Sequence, residues 1–292
     1  MRKALVPLLL LLALVVAGCG GDTSGDKAAS GQQQGPERII SLSPTATEML
    51  FAIGAGGQVV AVDSNSNYPR EAPKTGLSAY QPNLEAIAGY KPDLVVYSDD
   101  PGELAAGLQK LDIPALKQPA AKRLDDTYAQ IDQLGKATGH PTEAAQLTGT
   151  MRTEIQKIAD GPRPERSLTY YHELDKNLYS ATSKTFIGQL YAQLGMDNIA
   201  DAADKDGSGY PQLSAEYVVK ADPDLIFLAD TKCCAQSAKT VAARDGWDQV
   251  RAVKAGAVVA LDDDVASRWG PRVVDFLRTI SAKVETLETV GS

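Results

Sequence analysis

Two stretches of the chain repeat one pattern at a constant offset of 131 residues, and this repeat limits the folds open to the chain. Residues 83–96 and residues 214–227 each consist of a capped helix, a proline and an apolar run of strand length. Asn83 and Ser214 are residue types that cap helix N-termini, and the proline ends each helix before the strand. The repeat therefore predicts two similar α/β lobes within one chain.

The rest of the sequence extends this plan. Short β-rich runs alternate with helical segments along most of the chain, a pattern typical of parallel sheets covered by helices. We therefore predict two Rossmann-like α/β lobes, an N-terminal one over residues 37–138 and a C-terminal one over residues 162–292. In the second lobe we expect a strand at Leu168–Tyr171 and a helix near Val241–Val250.

A long helix separates the two lobes in the sequence. Helical periodicity runs from Thr142 to Ala159, bounded by Pro141 and Gly161. A helix of this length spans about 27 Å, which is long enough to bridge two lobes. We assign residues 139–161 to this single inter-lobe helix and place a ligand cleft between the lobes.

The N-terminus has the pattern of an export signal. A basic start is followed by an apolar stretch and by small residues directly before Cys19. This resembles the lipobox of bacterial lipoproteins, which implies that residues 1–18 are removed and that Cys19 anchors the protein by lipid to the extracytoplasmic face of the cell membrane. A soluble secreted protein with an incidental cysteine is the alternative. Residues 19–36 are rich in Gly, Ser and Gln and predict a flexible tether.

Charge and composition exclude several classes of function. The chain has 29 basic and 37 acidic residues, a formal net charge of −8. Removing residues 1–18 takes away two basic and no acidic residues, so the mature chain has 27 against 37, or −10. This charge argues against nucleic acid as a partner. The sequence lacks phosphate-loop, nucleophile-elbow and zinc-protease motifs and so offers no catalytic constellation; we expect a protein that is not an enzyme and that has no resident cofactor or metal.

Four motifs show a resemblance to a known family. They are Arg38-Ile39-Ile40-Ser41-Leu42-Ser43-Pro44-Thr45-Ala46-Thr47-Glu48, Tyr68-Pro69, Asn83-Leu84-Glu85 and Lys91-Pro92-Asp93-Leu94-Val95. The chain resembles the helical-backbone (class III) substrate-binding proteins of ABC importers for iron chelates and cobalamin, and most closely the cobalamin-binding members.

The resemblance implies a monomeric lipoprotein that captures a metal chelate, foremost a corrinoid, and delivers it to a permease dimer with its ATPase subunits. A hydroxamate-type ferric siderophore or heme is the alternative ligand. An exported α/β enzyme or a metal chaperone is the alternative class of protein.

The repeat and the strand ends predict the ligand contacts. Tyr80 and Tyr210 precede the two copies of the repeat, so we expect one aromatic ring on each wall of the cleft. Asp264, Arg268 and Trp269 follow the last strand of the second lobe, and ligands of open α/β sheets bind beyond the carboxyl ends of strands.

Three further features lie near the expected cleft. His172 follows a predicted strand and is a candidate axial ligand to iron or cobalt. The acids Asp262–Asp264 are either solvated or favour a neutral or cationic chelate over an anionic catecholate complex. Cys233 and Cys234 are adjacent in a predicted loop, and the sequence leaves open whether they form a vicinal disulfide or a soft metal site.

Glu85 and Glu216 occupy equivalent positions at the helix starts of the repeat. The resemblance implies that they dock onto arginines of the two permease subunits. The alternative is that each carboxylate only compensates the dipole of its helix, an effect of about 0.3–1 kcal/mol.

Overall fold

The computed structural model describes residues 35–291 of the chain. The predicted signal peptide, Cys19 and all but the last two residues of the tether 19–36 lie outside the described residues. Within residues 35–291, none of the helices is both long and apolar enough to cross a membrane.

The described part of the chain contains two parallel sheets of four strands each. The strands of the first sheet are β1 Ile39–Leu42, β2 Val59–Val62, β3 Leu94–Tyr97 and β4 Ala115–Lys117, in the order β2-β1-β3-β4. Those of the second sheet are β5 Thr169–Glu173, β6 Asp197–Asn198, β7 Leu225–Leu228 and β8 Val258–Ala260, in the order β6-β5-β7-β8. The two sheets share one topology, which confirms the predicted pair of α/β lobes.

The strand register shows that the sequence repeat is also a structural repeat. Leu42 pairs with Tyr97 between β1 and β3, and Glu173 pairs with Leu228 between β5 and β7. Each second-lobe residue lies 131 positions after its first-lobe counterpart. The central strand pair of each lobe is therefore built in the same register.

Twelve α-helices accompany the strands in residues 35–291. They are α1 Pro44–Ala52, α2 Leu84–Gly89, α3 Leu104–Lys110, α4 Leu124–Thr138, α5 Pro141–Ala159, α6 Phe186–Ala192, α7 Ala215–Ala221, α8 Thr231–Cys234, α9 Ala238–Ala242, α10 Arg251–Lys254, α11 Asp263–Ser267 and α12 Val273–Gly291. The predicted caps are present at the repeat: the side chains of Asn83 and Ser214 accept hydrogen bonds from backbone N–H groups at 3.0 and 3.1 Å.

The long helix α5 lies in the sequence between the last strand of the first sheet and the first strand of the second. It packs closely against α4, because Gly135 has no side chain to separate the two helices and a Cβ there would collide with Ala144. On another side α5 contacts α12. The observed helix matches the predicted periodicity, while the lobe boundaries 37–138, 139–161 and 162–292 stay a prediction.

Within residues 35–291, buried apolar side chains form two clusters. One runs through both lobes and includes Ile39 beneath the first sheet and Phe227 in the second. The other covers the opposite face of the first sheet and includes Ile40 and Val95. Because neighbouring residues of a strand point to opposite faces, Ile39 and Ile40 contribute to different clusters.

Some expectations about the second lobe were wrong in detail. The helix expected near Val241–Val250 is broken, because Gly246 adopts a left-handed conformation with φ of 76° and separates α9 from a short 3₁₀ turn and α10. The strand expected at Leu168–Tyr171 instead runs to Glu173. Cys233 and Cys234, expected in a loop, lie in helix α8, and the acids Asp263 and Asp264 begin helix α11.

Two helical glycines give a matched test of how closely the helices pack against their neighbours. A Cβ at Gly188 in α6 would collide with the carbonyl oxygen of Thr182, whereas a Cβ at Gly149 in α5 would meet nothing within 4 Å. Gly188→Ala should lower the free energy of unfolding by roughly 1–3 kcal/mol. Gly149→Ala should raise it by about 0.5–1 kcal/mol. Urea unfolding measures both free energies. Equal stability of the two variants would contradict the close approach of α6 to the backbone of Thr182.

Candidate ligand-binding cleft

A cavity of about 520 Å³ lies at the carboxyl ends of the first three strands. Ser43 follows β1, Asp63 follows β2 and Ser98 follows β3, and all three line it. The second lobe contributes the segment from Asp264 to Trp269. Since both lobes line the cavity and its size suits a small-molecule site, it is the candidate ligand cleft.

The first-lobe wall of the cleft is polar. Ser98 donates a hydrogen bond to Ser43 at 2.6 Å, and Ser66 donates one to the Oδ1 of Asp63. The other oxygen of Asp63, Oδ2, is buried and bonds no group in the described part of the chain. Burial raises the pKa of Asp63, although hydrogen bonds from Ser66 oppose this rise. This wall is therefore built from hydroxyl groups and one buried carboxyl group.

A buried ion cluster joins the two lobes beside the cavity. The side chain of Glu48, in α1, is 1% exposed. It accepts a hydrogen bond from Arg268 Nη1 at 2.8 Å and from Arg272 Nε at 2.9 Å. Arg272 Nη2 adds a second bond at 2.5 Å. Both arginines come from the second lobe. Their bonds to Glu48 therefore hold the two lobes together.

Sequence reasoning missed the role of Glu48. The available signal was a single acid within a helix whose other residues are apolar or hydroxyl-bearing, together with two arginines near the C-terminus. A buried charge needs a partner, so the acid predicted some cation nearby, but periodicity alone does not identify one 220 residues away.

Arg268, predicted to contact the ligand, lines the cavity but is extensively bonded within the protein. Its Nη2 donates to the backbone oxygen of Asn65 at 3.1 Å, to Asn67 Oδ1 at 2.9 Å and to Asp264 at 2.9 Å. The guanidinium therefore fixes the first-lobe loop after β2. Its contact with a ligand stays a prediction.

The predicted aromatic contacts lie at different places. Tyr80 lines the cavity and is 74% exposed. Trp269 also lines it, and its Nε1 donates to Gln130 of α4 at 2.9 Å. Tyr210 is 53% exposed but does not line this cavity. The structure thus brings Tyr80 and Trp269 to the cleft, and Tyr210 remains a prediction for the second wall.

The structure contradicts the prediction that His172 is an axial metal ligand. His172 lies within β5 rather than after it, and its side chain is fully buried. Its Nδ1 lies 2.8 Å from the hydroxyl oxygen of Tyr191. Burial lowers the pKa of His172 to about 4, so the ring is neutral at physiological pH. A ligand in the cleft has no access to it.

The acids of the segment Asp262–Asp264 are bonded rather than simply solvated. Lys232 Nζ donates to Asp262 at 2.8 Å and to Asp264 at 2.7 Å. Asn67 of the first lobe donates to Asp264 at 3.0 Å. Burial alone would raise the pKa of Asp264, but the hydrogen bonds from Lys232 and Asn67 hold it below its usual value. Asp264, predicted as a ligand contact, therefore also links the lobes.

Cys233 and Cys234 form a disulfide, which decides between the two alternatives that the sequence left open. In residues 35–291, no group of three or more His, Cys, Asp or Glu side chains is arranged to hold a metal ion.

A second buried charge group lies at the carboxyl ends of β5 and β7. Glu173 is fully buried and accepts hydrogen bonds from Arg244 at 2.5 and 2.6 Å. Asp230 is also fully buried, yet within the described residues neither of its carboxylate oxygens has a partner. Burial and the charge of Glu173 raise the pKa of Asp230 to about 7. The equivalent first-lobe residue, Asp99, is exposed.

Glu85 and Glu216 lie in the first turns of α2 and α7, and both are exposed. Their backbone positions correspond through the repeat. The structure therefore presents one carboxylate on the surface of each lobe, in agreement with either predicted role.

Comparison with known proteins identifies the family. A sequence profile described as periplasmic binding protein matches residues 39–265, well over half of the chain. The chain belongs to this family. The resemblance predicted from the motifs is thereby confirmed, as is the prediction of a substrate-binding protein.

Individual relatives and structures agree with this assignment. The chain is 29% identical over 312 residues to an uncharacterized ABC transporter substrate-binding lipoprotein, YvrC of Bacillus subtilis, covering 97% of each chain. It is 32% identical over 250 residues to a cobalamin-binding protein of Halobacterium salinarum, covering 82% of this chain and 67% of the relative. The periplasmic heme-binding protein RhuT of Roseiflexus superposes with a TM-score of 0.74 at 25% identity, covering 86% of this chain and 98% of that protein.

The raised pKa of Asp230 predicts a pH-dependent stability. Between about pH 4 and 7 the folded protein keeps a proton on Asp230 that the unfolded chain has lost, so rising pH favours unfolding. Asp230→Asn mimics the protonated acid at every pH. As the pH rises across that range, the free energy of unfolding of the wild type should therefore fall by roughly 1–3 kcal/mol relative to that of this variant. Asp99→Asn, at the exposed equivalent position, is the control. Parallel curves for the wild type and Asp230→Asn would contradict the prediction.

Proposed function

We propose that this chain is the lipid-anchored substrate-binding subunit of an ABC importer and that its ligand is a corrinoid. The observation that carries the proposal is a cleft lined by both lobes in a member of the periplasmic binding protein family. The cobalamin-binding relative supports the choice of ligand, and the lipoprotein relative supports an anchor at Cys19 on the extracytoplasmic face of the membrane.

The chemistry of the cleft favours a ligand with a neutral, hydrogen-bonding periphery. Hydroxyl groups of Ser43 and Ser98 line the cleft, and Asp99 adds an exposed acidic group. The cationic residues among those lining the cavity are Lys74 and Arg268, and Arg268 already bonds Glu48 and Asp264. The peripheral amides of a corrinoid match this wall better than an anionic chelate does, because anionic groups seek unpaired cations.

Heme is the second candidate ligand. The heme-binding structural neighbour supports it, and Tyr80 offers an exposed phenol at the cleft that is chemically able to ligate iron. Lys74 is then the residue available to an anionic heme substituent. A ferric hydroxamate is the further candidate.

The protein acts by capture and delivery, without turnover and without a resident cofactor. It works as a monomer whose partners are a permease dimer and its ATPase subunits. Glu85 and Glu216 meet one permease subunit each, which suits two pseudo-equivalent lobes facing a two-fold partner.

Titration of the purified protein with cyanocobalamin, hemin and ferrioxamine tests the ligand, with quenching of tryptophan fluorescence as the signal, since Trp269 lines the cleft. Cyanocobalamin should bind saturably, and Tyr80→Ala should weaken it by about 1–3 kcal/mol through loss of an aromatic contact. Tyr90→Ala, at the far end of α2, is the control and should leave affinity unchanged. Saturable binding of hemin or ferrioxamine alone would replace the corrinoid proposal.

A charge reversal distinguishes docking from compensation of the helix dipole. Glu85→Arg with Glu216→Arg should abolish uptake of the ligand by cells while the purified variant binds it as the wild type does, because neither residue lines the cleft. Glu143→Arg is the matched control, since Glu143 is an exposed acid in the first turn of α5 and loses the same dipole interaction. Normal uptake by the double variant would leave dipole compensation as the role of the two glutamates.

A further inference from the structure

The disulfide between Cys233 and Cys234 has no part in the capture or docking described above. Helix α8, which contains both cysteines, directly follows β7 at its carboxyl end. Cys233 is exposed and Cys234 is half-buried. Cys233 is therefore the cysteine that an external thiol would reach first.

The repeat shows which edge of the second lobe this is. Residues 232–234 correspond at the offset of 131 to the first-lobe segment Pro101–Glu103, which follows β3. In the first lobe, Ser98 and Asp99, just before this segment, line the candidate cleft. The disulfide thus lies at the edge of the second lobe that is equivalent to this edge of the first.

Hydrogen bonds connect the disulfide to the contact between the lobes. The carboxylate of Asp263 accepts from the backbone N–H groups of Thr231, Lys232 and Cys233 at 2.9, 2.8 and 3.1 Å. The neighbouring Asp264 accepts from Lys232 Nζ at 2.7 Å and from Asn67 of the first lobe at 3.0 Å. A change in α8 therefore acts directly on the residues that join the lobes.

The backbone of this segment is closely constrained. A disulfide between adjacent residues closes a ring that includes the peptide bond joining them. Ala235, the next residue, adopts a left-handed conformation with φ of 54°, which is unfavourable for a residue with a side chain. The backbone oxygen of Asp230 accepts from the N–H groups of Cys234 and Gln236 at 3.2 and 3.3 Å. Opening the ring removes one of these constraints.

We propose that Cys233–Cys234 is a thiol–disulfide exchange site for an exported dithiol reductant, and that its redox state controls the contact of Asp264 with Asn67. A thiolate of the reductant attacks Cys233 Sγ, the S–S bond breaks, and Cys234 leaves as a thiolate that takes up a proton. The second thiol of the reductant then displaces Cys233. The protein gains two electrons and two protons, and the reductant becomes a disulfide.

The test uses the full-length protein, folded and without denaturant. Dithiothreitol followed by iodoacetamide should alkylate both Cys233 and Cys234, while the same treatment without dithiothreitol should alkylate neither. Peptide mass spectrometry reads both results. Alkylation before reduction, or only after unfolding, would overturn the proposal.

Hydrogen exchange then tests the coupling. Amides of residues 262–269 and 63–67 should exchange several-fold faster after reduction, and those of α5 should not change. Cys233→Ser with Cys234→Ser should show the fast pattern with or without dithiothreitol, and Lys232→Gln should loosen residues 262–269 while the disulfide stays intact. If the double variant does not fold, reduction of the native protein decides alone. Unchanged exchange in residues 262–269 would refute the coupling.

The effect on ligand affinity rests on the proposed function. Reduction should raise the Kd for cyanocobalamin about threefold to tenfold, which is roughly 0.7–1.4 kcal/mol at 25 °C. Failure of cyanocobalamin to bind either form would reject the corrinoid, while alkylation and exchange would still decide the redox site. An equal Kd for both forms, with binding intact, would show that the site does not control the cleft.

Discussion

The relative position of the two lobes depends on one buried carboxylate. Glu48 is removed from water inside the first lobe, and its two cationic partners both come from the second. Leaving such a charge without its partner costs about 3–5 kcal/mol, so the lobes are held in the arrangement that keeps the bonds formed. Arg268 extends this effect, because the same guanidinium fixes the loop after β2 that lines the cleft. The same hydrogen bonds therefore fix the geometry of the cleft and hold the two lobes together.

The two lobes share a topology but differ in chemistry. Where the second lobe has the buried Glu173, the first lobe has Leu42 at the equivalent position. Where the second lobe buries Asp230, the first exposes Asp99 at the cavity. The polar groups that a ligand would meet are thus concentrated on the first lobe, whereas those of the second are used to bind its own residues and to contact the other lobe.

Much of the fold could be predicted from the sequence, because the repeat, the caps at Asn83 and Ser214 and the apolar runs are local signals. The site was predicted less completely. Tyr80 and Trp269 were expected at the cleft from their positions beside the repeat and the last strand, and the structure places them there. His172 was misplaced because its strand ends two residues later than expected. Asp63 and Glu48 were missed because their importance comes from burial and from distant partners, which sequence spacing does not reveal.

The apolar cluster that runs through both lobes gives them one shared core. Neither lobe, expressed alone, would retain a closed core, since the face that contains Ile39 and the face that contains Phe227 are covered by parts of the same cluster. The two halves repeat one pattern in sequence and topology, yet they share one apolar core. A split-protein sensor built on this scaffold would therefore have to be divided in a surface loop rather than between the lobes.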